Sequence, residues 1–255
     1  MLHHQDTTTP SGDWKTAASD VFLVSWCLGG ELLTRVPKRR AVLLCGPARR
    51  LVAAVARELA AAGVPLVIQA APTELSGARR LVAAAARRGG PVGIVTGALD
   101  GDDASRRLIA EAWTAGKGIG AVVLCVTVGE QRGVAAPSLD AWQDAIATGL
   151  RAPFFLAKHA AARMKSGGGR VVLASAAPRR AGASVAAVVR GGLECMAEAL
   201  ARAVPASVAF AAVFASGAGT AEQTASEVAR AVRTLIAEQA LPSGTIVDLA
   251  AAHRG

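Results

Sequence analysis

A chain of 255 residues, 52% hydrophobic and 18% charged, can bury the core of one large α/β domain, which excludes a disordered or fibrous protein. Its net charge of +9 comes mostly from paired arginines, yet aromatic residues make up only 4%, too few for the stacking platforms of a nucleic-acid face. Solvated helix charge accounts for these arginines, with an acidic protein partner as the alternative.

Residues 1–40 form an N-terminal arm, polar up to Asp20, then apolar around Trp26, Leu28 and Leu32, and ending in VPKRR. The arm is expected to dock on the domain, residues 41–255, or on a neighbouring subunit. Its opening MLHHQDTTTPSGD has no basic stretch followed by an apolar core, and no run approaches the roughly 20 apolar residues that span a bilayer. No membrane association is expected, and a cytoplasmic location is.

From residue 41 the pattern alternates. AVLLC (41–45) has strand length, and RRLVAAVARELAAAG has apolar positions at helical spacing with Gly63 as a stop. PLVI (65–68), VGIV (92–95), AVVLCVT (121–127), RVVLAS (170–175), SVAFAAVF (207–214) and TIVDL (245–249) repeat the strand signal. Helices are expected over ELSGARRLVAAAARR, DASRRLIAEAWTAG, residues 138–164, 184–204 and 221–238. Strands that are apolar throughout and trailed by helices predict a doubly wound, seven-stranded parallel sheet with helices on both faces. The four cysteines lack metal-ligand spacing and are expected as buried, reduced thiols, with no metal site.

The candidate chemistry lies at strand ends. CGPARRLV follows the first strand, Gln69 and Ala70 end the second, Asp100 stands in GALDGDD after the third, and Gly129 closes VTVG after the fourth. Together with the two long helices, this order resembles the short-chain dehydrogenase/reductase family over residues 41–250 and implies its Rossmann sheet. In that family the first turn is TGxxxGxG, which lets the backbone approach the pyrophosphate of a dinucleotide. Here Gly46 remains, but Arg50 and Val52 replace the second and third glycines, so ordinary dinucleotide binding is not expected. The resemblance leaves Gly46, Arg49, Arg50, Asp100 and Gly129 as cofactor-binding candidates, with either arginine able to grip a phosphate.

The resemblance also implies a catalytic tetrad of Asn, Ser, Tyr and Lys. Those positions fall on Gly149, Ser175 (with Ala176 beside it), Ala186 and Arg190. The chain contains no tyrosine, so the usual proton transfer is excluded. Arg190 keeps the positive charge of the lysine and is expected as a solvated or helix-capping residue, with anion binding as the alternative. ASGAGT (215–220) runs straight into the next helix, leaving no room for a substrate lid. His159 is expected at a surface or interface.

In relatives the helices matching 138–164 and 184–204 form the dimer interface. The expectation is therefore a non-catalytic subunit that joins an intact paralogue, a ketoreductase, as a heterodimer or heterotetramer. This chain would hold no cofactor, or hold it weakly, with NADPH in the partner. Two alternatives stand: an enzyme with a non-standard site built on Ser175 and Arg190, and a docking or sensor protein for an acidic partner such as an acyl carrier protein.

Overall fold

A computed structural model describes residues 23–24, 40–47, 49–88, 92–99, 101–128, 137–176, 185–215, 220–238 and 240–249. Seven parallel strands follow the apolar runs: β2 (Ala41–Cys45), β3 (Leu66–Ala70), β4 (Val92–Thr96), β5 (Ile119–Val126), β6 (Gly169–Ser175), β7 (Val208–Phe214) and β8 (Thr245–Asp248). An eighth, β1 (Leu23–Val24), pairs antiparallel with the outer edge of β8. The sheet is therefore one strand larger than expected, and the arm contributes that strand. The rest of residues 1–39 lies outside the described residues.

The strand order is β1-β8-β7-β6-β5-β2-β3-β4. Two cores result, because successive strand residues point to opposite faces. Val42 and Leu44 meet α1 (Arg50–Ala61), α2 (Leu75–Ala86) and α7 (Ala221–Ala237) on one side. Leu43 and Cys45 face α3 (Asp102–Ala115), α5 (Ala152–Met164) and α6 (Val185–Ala203) on the other. Burial on both faces is the reason these strands need no polar alternation.

Local chemistry sets the helix ends. The Ser138 hydroxyl accepts from Ala141 N–H at 3.2 Å to start α4 (Leu139–Ile146), and Thr220 and Gln223 form a capping box on α7. Between α4 and α5 the helix continues through a π turn, Ala147–Arg151, so the expected helix over 138–164 is one rod with a widened turn. β7 ends at Phe214 and α7 starts at Ala221, and residues 216–219 of the expected direct connection lie outside the described residues.

The placement of charge departs from expectation at Arg170, which is 1% exposed at the start of β6. Its guanidinium donates to the carbonyls of Leu235, Ile236 and Glu238, closing the carboxyl end of α7. Burial pulls its pKa below the usual arginine value, opposed by the charge of Glu238. Among the described residues no helix is long and apolar enough to cross a membrane.

Candidate functional site

The chain steps outward from β2 through β3 to β4 and then returns to place β5 on the other side of β2. The carboxyl ends of β2 and β5 flank this reversal, where open α/β sheets hold their ligands. Gly46 stands there with φ +133°, and a Cβ on it would lie 2.2 Å from the carbonyl oxygen of Cys125 on β5. Only glycine fits that approach. Its N–H donates to Oε1 of Gln69 at 3.1 Å, and Gln69 Nε2 donates to the Gly97 carbonyl at 2.8 Å. Gln69 thus braces the ends of β2, β3 and β4 from a buried position. Sequence reasoning assigned it nothing, although an amide closing an apolar strand is a signal that a partner waits there.

α1 begins at this turn. Arg49 is its N-cap and makes no side-chain cap, Arg50 is its first residue, and no acidic residue stands in the first turn. Both arginines are exposed. Val52 is buried in the core against the sheet, so a β-branched side chain fills the contact between α1 and the sheet. Asp100 and Gly129 lie outside the described residues.

Gly149 occupies the middle of the π turn and is buried. A Cβ there would meet Val189 Cγ1 at 2.6 Å and Cγ2 at 2.9 Å. The reciprocal fit is at Gly192, whose Cβ would lie 2.7 Å from Leu150 Cδ2. The helices thus close on each other through the space that an asparagine side chain would need. Ala186, one turn before Arg190, is 5% exposed.

Arg190 is the largest correction. It is neither solvated nor a helix cap but 4% exposed. Its Nε donates to Glu194 Oε1 at 2.9 Å and its Nη2 to Asp248 Oδ2 at 3.0 Å. The guanidinium carbon lies 4.6 Å from the centroid of the Phe214 ring, a cation–π contact. The i, i+4 spacing makes Glu194 legible in sequence, whereas Asp248 comes from the far end of the chain. Asp248 is paired across the sheet with Phe214, and Phe214 with Ser175, so a single row joins the ends of β6, β7 and β8. Ser175 is 1% exposed in that row, and its carbonyl accepts from Ala215 N–H at 3.1 Å. Among the described residues Arg190 Nη1 is buried without a hydrogen-bond partner.

The remaining candidates stand apart. His159 Nε2 lies 2.7 Å from Asp102 Oδ1, and Lys158 Nζ donates to both oxygens of Asp102 at 2.9 and 3.0 Å. Hydrogen bonds from Lys158 and then His159 hold the Asp102 carboxyl below its usual pKa. His159 therefore joins α5 to α3 within the chain. Cys45 and Cys125 are buried, but Cys195 is exposed, against the expectation for all four; Cys27 lies outside the described residues. Among the described residues no three His, Cys, Asp or Glu side chains gather as metal ligands.

A family profile described as Enoyl-(Acyl carrier protein) reductase matches residues 46–252, most of the chain. The chain belongs to the short-chain dehydrogenase/reductase family. Short-chain dehydrogenase/reductase structures superpose on it accordingly. The enzyme from Oenococcus oeni is 15% identical with a TM-score of 0.68, over 85% of this chain and 98% of that one. The FolM alternative dihydrofolate reductase 1 from Brucella canis, solved with NADP, is 21% identical with a TM-score of 0.68, over 84% and 94%. The short-chain dehydrogenase/reductase from Serratia marcescens is 21% identical with a TM-score of 0.68, over 83% and 97%. At these identities the likeness is one of fold. No curated protein matches the chain.

Proposed function

We propose that this member of the short-chain dehydrogenase/reductase family is a non-catalytic subunit that assembles with an intact paralogue and supports that partner's NADPH-dependent carbonyl reduction. The observation that carries the reading is the engagement of Arg190 by Asp248 and Glu194. A cation free to hold a ribose hydroxyl or to lower a neighbouring pKa is consumed here as the centre of an internal ion network. Ala186 offers no proton, and Val189 occupies the space beside Gly149 where a relay side chain would stand.

On this reading the chain holds a nicotinamide dinucleotide weakly or not at all. Gly46 keeps the close backbone approach that a pyrophosphate needs, but Val52 fills the helix–sheet contact and Arg190 is turned to β8.

The outer sides of the paired helices support the assembly. Among the described residues, Leu139, Trp142, Phe154 and Val188 on α4, α5 and α6 are the large apolar side chains left exposed, at 70, 40, 42 and 48%. Trp and Phe beside small residues suit the core of a subunit interface. The test is to purify the tagged chain from its own host, identify its companion, and titrate the complex and the lone chain with NADPH. Binding and turnover in the complex alone support the reading; a well-folded lone chain that reduces carbonyl substrates overturns it.

One observation favours a second reading, an enzyme with a non-standard site. Among the described residues the buried Nη1 of Arg190 lacks a hydrogen-bond partner, a donor that an anionic substrate would satisfy. Saturable substrate turnover by the lone chain, abolished in Arg190→Lys while the fold is retained, would select this reading.

A further inference from the structure

α1 carries a second surface on the side away from the sheet. There it floors a groove of about 480 Å³ between α2 and the first turns of α7. Arg49, Arg50 and Arg57 of α1, Arg80 of α2 and Glu222 of α7 line it, over a floor of alanine and leucine. No lining residue belongs to a strand, and only Arg49 and Arg50 are shared with the turn that follows β2.

The charges in this groove do not balance. Four arginines meet one carboxylate, Glu222, and that carboxylate lies 4.0 Å from Arg57. Arg57 is also held by the Ala53 carbonyl, to which its Nε donates at 3.2 Å. Arg49, Arg50 and Arg80 have no side-chain hydrogen bond or ion pair among the described residues. The groove opens beside the amino end of α1, where the helix dipole adds positive potential and no first-turn acid opposes it. Guanidinium groups that line one groove repel one another, and a bound anion removes that repulsion. Planar arginine forks match phosphate oxygens in pairs, which favours phosphate over a diffuse counter-ion. The volume falls in the range of small-molecule sites.

We propose that this groove binds a small pyrophosphate-bearing ligand, held by Arg50 and Arg80 with Arg57 at its far end, outside the dinucleotide crevice. Glu222 is the one group in the groove that opposes such a ligand, so its removal has the opposite sign from removal of an arginine. The site does not depend on whether the chain pairs with a paralogue.

The experiment is isothermal titration of the full chain with inorganic pyrophosphate at low and at physiological ionic strength. Saturable one-to-one binding is expected, weakening with salt. Arg80→Gln and Arg50→Gln should each weaken it about tenfold, and Glu222→Gln should tighten it several-fold. Arg107→Gln, exposed on the opposite helical layer, should leave it unchanged. Thermal melts of each variant establish that the fold is kept. Absence of saturable binding, binding indifferent to Arg80→Gln, or loss only in Arg49→Gln, which would place the anion in the turn after β2, overturns the proposal.

Discussion

Gly149→Ala tests the claim that Val189 fills the space a side chain at Gly149 would need. The new methyl would sit 2.6 Å from Val189 Cγ1, about 0.8 Å short of the 3.4 Å at which ordinary contact begins. Overpacking of this kind costs about 1–3 kcal/mol in a buried site. Alanine returns about 1 kcal/mol through helix propensity, so the net change in the wild-type background is a loss of up to about 2 kcal/mol. Val189→Ala alone removes two buried methyl groups and costs about 1.5–2.5 kcal/mol, transfer and cavity together. In that background the clash is gone, and Gly149→Ala should then stabilise by about 0.5–1 kcal/mol. The assay is a double-mutant cycle from urea melts, with the slope of the transition checked for constancy. The reasoning fails if Gly149→Ala stabilises both backgrounds equally, since Val189 would then be elsewhere.

Three other outcomes follow from the buried polar groups and thiols. Arg190→Met takes the guanidinium away from the 13%-exposed Asp248 carboxylate and should cost about 3–5 kcal/mol, while Arg190→Met with Asp248→Asn should recover much of it; equal melting points for the two variants would refute the pairing. Arg170→Lys cannot span the carbonyls of Leu235, Ile236 and Glu238, so it should destabilise by more than about 2 kcal/mol and increase hydrogen exchange at the end of α7. Burial pushes the Cys125 thiol up to about 12, and burial with the added influence of Cys125 raises Cys45 as well, from an ordinary 9.0. The unfolded chain ionises first, so these thiols favour the fold fully below pH 9.0, and stability falls as pH rises toward the folded values, by about 1.4 kcal/mol per pH unit for each thiol. Cys125→Ala should flatten that slope in urea midpoints taken on either side of pH 9.0, and an unchanged slope would refute the assignment.

The strands, the long helices and the absence of a tyrosine proton donor were legible in the sequence because each is a local property. Apolar runs between glycine turns specify doubly buried strands wherever the chain places them, and helical spacing specifies the layers that cover them. Gly46 was legible too, since a tight turn after a strand demands a residue without Cβ. Arg190 was not. Its local context is an alanine- and valine-rich helix, on which an arginine ordinarily reaches solvent. Its burial depends on Asp248, 58 residues away, and on the Phe214 ring, which the sheet alone brings together. The same holds for Arg170, whose partners lie at the end of α7, and for Gln69, whose partners stand in two other loops. A buried polar side chain is stable only with partners, and the partners here are supplied by strand order rather than by neighbours in sequence. The sequence by itself determined that the chain has no tyrosine to serve as a proton donor. Only the tertiary structure decided that the remaining cation is bound into the fold, because long-range pairing sets whether a charge is buried or free.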